Sequence, residues 1–148
     1  GDTLIEPKVL LEIEGGTSHN GSRLAFGPDG KLYWATGDKH DYTYAQNREK
    51  LNGKILRLNP DGSIPADSPD PKSAVWAWGF RNMQGLAFSS SGLLYTSEHG
   101  DAIEDEVNLI QNPEITVGRP SKGSRIYPLS WSLRQPTKLS NRSDPGLR

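Results

Sequence analysis

Three polar groups carry residue types that can do chemistry, and each stands beside an apolar run. The first is Ser18-His19-Asn20-Gly21-Ser22-Arg23. A histidine can take up a proton near neutral pH, and Asp38, at the far end of the same predicted hairpin, can orient His19 and stabilise its charge. The second is Gly79-Phe80-Arg81-Asn82-Met83-Gln84-Gly85, in which a permanent cation and two amides precede an apolar strand. Arg81 there can bind a carboxylate or steady an oxyanion. The third, Glu98-His99-Gly100-Asp101-Ala102-Ile103-Glu104-Asp105-Glu106, is rich in oxygen ligands. Hard cations such as Ca²⁺ take carboxylate and carbonyl oxygens of this kind, although the spacing is not that of an EF-hand loop. Taken singly, each group has a plain structural reading: a hydrogen-bonding histidine, a surface cation, a solvated acidic loop.

The elements that must position these groups read as short strands. Leu24-Ala25-Phe26 followed by Leu32-Tyr33 recurs 62 residues later as Leu86-Ala87-Phe88 followed by Leu94-Tyr95. In the first copy Gly27-Pro28-Asp29-Gly30 supplies a fixed φ at Pro28 and a free positive φ at Gly30, so the chain reverses there. A third hairpin is expected from Lys54-Ile55-Leu56-Arg57-Leu58 through Asn59-Pro60-Asp61-Gly62 to Ser63-Ile64. Antiparallel meanders at 24–36, 54–64 and 86–98 follow, with 8–13 as a further strand-like run. Only 45–51 has helical composition, enough for one or two turns inside a connection. A meander recurring at about 60 residues has the scale of a β-propeller blade. A β-sandwich has similar alternation and turn spacing and is the alternative on pattern alone.

Composition narrows the function classes. The 148 residues include 16 Gly and 11 Pro, with 33% hydrophobic content, a low figure for a self-sufficient core but one that 4 Trp, 5 Tyr and 3 Phe raise above the disordered range. With 17 basic and 18 acidic residues and no long block of one sign, no nucleic-acid or anionic-membrane surface is expected. The absence of Cys removes disulfides, thiolate metal sites and Cys nucleophiles. No apolar run approaches the roughly 20 residues of a membrane span, so none is expected. P-loop, Rossmann, GxSxG and HExxH motifs are missing, which disfavours nucleotide, serine-hydrolase and zinc-protease chemistry. The start at Gly1, without Met, a basic n-region or an apolar h-region, reads as that of an excised piece. Residues 121–148 read as a poorly packed, basic tail.

Taken together, the groups are far more specific. His19-Asn20-Gly21-Ser22-Arg23-Leu24, Thr36-Gly37-Asp38, Ala45-Gln46, Leu51-Asn52-Gly53-Lys54-Ile55-Leu56-Arg57-Leu58-Asn59-Pro60-Asp61-Gly62, Arg81-Asn82-Met83-Gln84-Gly85-Leu86-Ala87-Phe88, Ser97-Glu98-His99-Gly100 and Asp105-Glu106-Val107-Asn108-Leu109-Ile110 occur in one order. In that order the chain resembles the glucose/sorbosone dehydrogenase family, the soluble quinoprotein aldose sugar dehydrogenases that bind pyrroloquinoline quinone (PQQ). The likeness runs from about residue 8 to residue 120. It implies an all-β chain holding about two to three blades of a six-bladed β-propeller: a partial propeller domain over 1–120, then the 121–148 tail.

The resemblance also implies a reaction and a site. Family members oxidise the C1 hydroxyl of an aldose to a lactone, with PQQ as hydride acceptor, Ca²⁺ beside it and an external electron acceptor downstream. His19 matches the general base and Asp38 the carboxylate that supports it. Gln46 matches a cofactor-contacting amide. Arg81 and Asn82 match residues that hold the quinone oxygens, so His19, Asp38 and Arg81 form the catalytic set and His19, Gln46, Arg81 and Asn82 the cofactor set. Gly100 and Asp101 match the pair whose main-chain carbonyls bind Ca²⁺. The full-length parent would be periplasmic or extracellular, its partners a sugar and an electron acceptor, with oligomer formation left open. Departures from the pattern are Ser22 for Gly, Met83 for Pro, Asp101 for Pro, Ile103-Glu104 for Gly-Gly and Arg119 for Trp. Those at 101–104 and 119 favour the competing reading, a non-catalytic propeller used as a protein- or carbohydrate-binding platform. The joint presence of His19, Asp38, Arg81 and Asn82 favours the enzyme, although the isolated piece is expected to be inactive.

Overall fold

The computed structural model describes residues 6–101 and 105–110. Among them are seven strands, β1 (Gly21–Phe26), β2 (Leu32–Thr36), β3 (Lys54–Leu58), β4 (Val75–Trp78), β5 (Met83–Phe88), β6 (Leu94–Glu98) and β7 (Glu106–Ile110), and one short helix, α1 (Tyr42–Gln46). They form two antiparallel sheets in chain order, β1-β2-β3-β4 and β5-β6-β7. Chain-ordered meanders of this kind are propeller blades. In a sandwich, Greek-key connections would carry the chain from one sheet to the other.

Two of the three expected hairpins form, at 24–36 and 86–98, and their turns match in detail. Gly27 N–H donates to Lys31 O and Gly30 N–H to Gly27 O, both at 2.9 Å, and Ser89–Leu93 and Gly92–Ser89 repeat the pair at 2.9 Å. Gly30 sits at φ 72°, a backbone state that costs a glycine nothing. Each first strand also breaks register at its start, between Gly21 and Arg23 in β1 and between Met83 and Gly85 in β5. Such bulges turn the strand end and re-aim the residues before it. Those residues are His19 and Arg81.

The third hairpin does not form. Its turn closes, with Asn59 N–H on Ser63 O and Gly62 N–H on Asn59 O, both at 2.9 Å. Strand pairing nevertheless stops, because Pro65 follows Ile64 and has no N–H for a ladder. The edge of β3 is filled instead by β4, with Ile55 opposite Ala77 and Leu56 opposite Val75. The run 8–13 likewise forms no ladder, but Leu11 and Ile13 pack on Leu56, Leu58, Ala74 and Val75 and cover part of one sheet face. Helix α1 lies closer to the N-terminus than composition suggests. Asp41 caps it, its carboxylate accepting the Thr43 N–H at 3.0 Å, so the first turn starts at Tyr42.

The two sheets face each other across Tyr33, Ala35, Ile55, Ala77, Phe80, Met83, Leu86 and Leu94. At the turn end, the buried Arg57 binds Asp29 (Nη2–Oδ2 2.7 Å) and Asp67 (Nη1–Oδ1 2.8 Å) and lies over the Trp76 ring at 4.5 Å. Burial pushes the phenol of Tyr33, which donates to Asp29 at 3.0 Å, up to about 12. Arg57 thus locks the end of the blade remote from the candidate residues.

Candidate active site

All the candidate residues that the structure describes lie at the opposite end, where β1, β3, β5 and β7 begin and β2, β4 and β6 finish. His19 precedes β1 and Asp38 follows β2. Their separation of 19 residues closes because Asn20 O accepts the Gly37 N–H at 3.2 Å and His19 O accepts the Lys39 N–H at 3.1 Å. Gly37 is obligatory in this crossing: a Cβ there would overlap the carbonyl of His19. His19 Nδ1 then meets Asp38 Oδ1 at 2.8 Å, with the two side chains 12% and 6% exposed. A carboxylate accepts only, so Nδ1 carries the hydrogen, and in the neutral ring Nε2 is then the nitrogen with the free lone pair.

The second blade joins directly. Asp38 N–H donates to Arg81 O at 2.7 Å, Gly37 pairs with Asn82 in an isolated bridge, and His99 N–H donates to Asn82 O at 3.2 Å. The Arg81 guanidinium reaches His99 O at 3.2 Å and Asp101 Oδ1 at 3.4 Å and is 27% exposed. Asn82 Oδ1 accepts from Gln84 Nε2 at 3.0 Å, which leaves its own amide hydrogens for another acceptor. Gly100 N–H donates to Asp105 Oδ1 at 3.1 Å, and with the neighbouring His99 this holds the Asp105 carboxyl below the usual range. Gln46 closes α1 on its exposed side, in the β2–β3 connection at the same end. The positions Ile103-Glu104, Arg119 and the 121–148 tail lie outside the described residues. Among the described residues no cluster of three or more His, Cys, Asp or Glu could hold a metal.

Three further groups belong to this end and were not singled out from the sequence. Lys54, fully buried, donates to Tyr44 O (2.7 Å), Ala45 O (3.0 Å) and Asn52 O (2.7 Å). Only an ammonium has three hydrogens for three carbonyls. Burial nonetheless pulls it down to about 8, with the Asp38 charge opposing that fall. Glu98 accepts the Arg81 N–H at 3.3 Å. Burial first, then the charges of Glu106 and Asp38, push it up to about 8 against the pull of Arg81, so it is mostly protonated at neutral pH. His40 stacks on His19. Of these, Glu98 has a chemical signal, its place in the acidic run; Lys54 stands in the run from Leu51 to Gly62 that carries the family likeness but reads there simply as the first residue of an apolar strand.

Two antiparallel blades with a buried His–Asp pair beside an Arg–Asn pair at one end define a β-propeller with a polar end site. The chain belongs to the glucose/sorbosone dehydrogenase family, matching it over residues 3–127. It is 38% identical over 132 residues to quinoprotein glucose dehydrogenase B of Acinetobacter calcoaceticus, covering 74% of this chain and 28% of that protein. To an aldose sugar dehydrogenase of Escherichia coli K12 it is 39% identical over 100 residues, covering 64% and 27%. The solved PQQ-bound aldose sugar dehydrogenase of Streptomyces coelicolor superposes with a TM-score of 0.66 at 46% identity, covering 68% of this chain and 30% of that one. The chain thus spans less than a third of the length of each of these proteins. No helix among the described residues is long and apolar enough to cross a membrane.

Proposed function

We propose that the protein carrying this chain is a PQQ-dependent dehydrogenase that oxidises the C1 hydroxyl of an aldose to the lactone and passes electrons to an external acceptor. The observation that carries this reading is the buried His19–Asp38 pair, 2.8 Å apart and hydrogen-bonded through Asp38 N–H to the backbone of Arg81. His19 Nε2 takes the hydroxyl proton, and Asp38 holds the ring in the required tautomer and stabilises the imidazolium that forms. When bound, PQQ supplies the two-electron acceptor for the hydride leaving C1.

The donor set suits such a group. A part-exposed guanidinium and an amide whose hydrogens are left over match a planar ligand rimmed with carbonyl and carboxylate oxygens. Arg81 and Asn82 hold that rim, and Gln46 adds a contact from α1. By the same family likeness, Ca²⁺ would rest on the main-chain oxygens of Gly100 and Asp101; among the described residues no cluster of carboxylates and imidazoles builds a site for it. The Asp101 side chain is 93% exposed and turned to Arg81. A periplasmic or extracellular place for the parent follows from the same family reading.

The test is reconstitution of the full-length protein with PQQ and Ca²⁺, followed by sugar-dependent dye reduction across a panel of aldoses. Turnover with lactone as product supports the reading. PQQ bound without turnover on any sugar would instead favour the binding platform.

A further inference from the structure

The ring of His40 lies face to face with that of His19, centroids 4.2 Å apart and planes 3° from parallel. Three restraints hold it there. His40 Nδ1 is 2.9 Å from Ser18 Oγ, its backbone N–H donates to Asp38 Oδ1 at 2.9 Å, and its φ is 67°. His19 is also left-handed, at φ 53°. A left-handed backbone is uncommon outside glycine, and two such histidines meeting ring to ring form a strained arrangement that the surrounding contacts impose.

The bond from His19 Nδ1 to Asp38 fixes one point of the ring. By itself it leaves the imidazole free to swing about the N···O line, and that swing moves Nε2 across the mouth of the site. A parallel aromatic partner on one face removes that freedom, since the rings lose contact once the planes tilt. Asp38 Oδ1 accepts both the His19 ring hydrogen and the His40 N–H, so the same oxygen sets base and stacking partner.

We propose that His40 is a positioning residue: by stacking on His19 it fixes the plane in which Nε2 meets the sugar hydroxyl. This rests on the reading of His19 as the base. Because the stack acts on the orientation of the base and not on sugar binding, its loss lowers kcat and leaves KM unchanged.

The experiment uses the full-length, PQQ-loaded protein carrying His40→Asn or His40→Phe. Asparagine tolerates the left-handed backbone but has no ring, whereas phenylalanine restores the ring without a titratable nitrogen. For His40→Asn the expected result is a fall in kcat of about threefold to tenfold at constant KM, the scale of one lost aromatic contact. His40→Phe recovers most of that loss. Independently of activity, the ¹³C-imidazole NMR signals of His19, identified by their disappearance in His19→Ala, carry the ring-current shift of a stacked neighbour. That shift is lost in His40→Asn and kept in His40→Phe. Parental kcat in His40→Asn overturns the proposal, as does a His40→Phe that keeps the shift but is as slow as His40→Asn. If His19→Ala turned over at the parental rate, the base assignment would fail instead, while the ring-current shift would still decide whether the stack exists.

Discussion

Replacing Lys54 by methionine removes a charge at nearly constant side-chain length and volume, so its effect isolates the ammonium. Three carbonyl oxygens, those of Tyr44, Ala45 and Asn52, lose their donor. Hydrogen bonds to a charged group contribute about 1.5–3 kcal/mol each, which gives a gross loss of about 5–9 kcal/mol. Against this, the variant no longer buries an ammonium. The fall from 10.5 to about 8, the net of burial and the opposing Asp38 charge, sets the scale of that cost, and at about 1.4 kcal/mol per pH unit it returns about 3 kcal/mol. The net expectation is a destabilisation of about 2–6 kcal/mol, the scale of removing one member of a buried charged network. Urea unfolding of the full-length protein, followed by the fluorescence of Trp34, Trp76 and Trp78, reads it as a lower midpoint at unchanged slope. A loss below about 1 kcal/mol would show that the three carbonyls find other partners and that Lys54 does not hold α1 against β3.

The remaining predictions concern the same end of the blades. A carboxyl raised from 4.5 to about 8 favours the fold fully below pH 4.5, and this stabilisation is lost as pH rises through about 8. Glu98→Gln should therefore flatten the fall in melting temperature between pH 5 and pH 9; an unchanged slope would place the titration elsewhere. Gly37→Ala forces a methyl onto the His19 carbonyl. It should cost about 1–3 kcal/mol and at least about tenfold in turnover, and a variant with parental melting temperature and rate would show that this crossing relaxes freely. The 148-residue chain alone should show no sugar-dependent dye reduction, since it spans about 30% of a PQQ-bound relative. Robust turnover by it would mean that this chain, alone or as an oligomer, suffices for the pocket.

Local chemistry made the two hairpins legible. Gly-Pro-Asp-Gly sets a reversal at 27–30, and the 62-residue recurrence predicts the second copy, down to matched turn bonds. The third hairpin is not decided by its turn, since 59–62 closes as well as the other two; the deciding residue, Pro65, lies beyond it. Helix α1 was shifted because Asp41 caps it, a signal that composition over 45–51 does not contain. His19 and Asp38 could be paired from sequence because one hairpin separates them. Lys54 and His40 could not. The three carbonyls on Lys54 converge only after α1 folds back on β3, and the stack on His19 needs two residues in a backbone state that sequence does not announce for histidine.

Whether His19 is the base is decided by the turnover of His19→Ala in the full-length, PQQ-loaded protein. The expected result is a fall in kcat of about 10²–10⁴, the cost of losing a positioned general base, with PQQ affinity mostly retained through Gln46, Arg81 and Asn82, and a smaller fall for Asp38→Asn, which keeps the imidazole but disturbs its tautomer. Near-parental turnover of His19→Ala would make the 2.8 Å His19–Asp38 bond a structural contact and would contradict the assignment of His19 as the base.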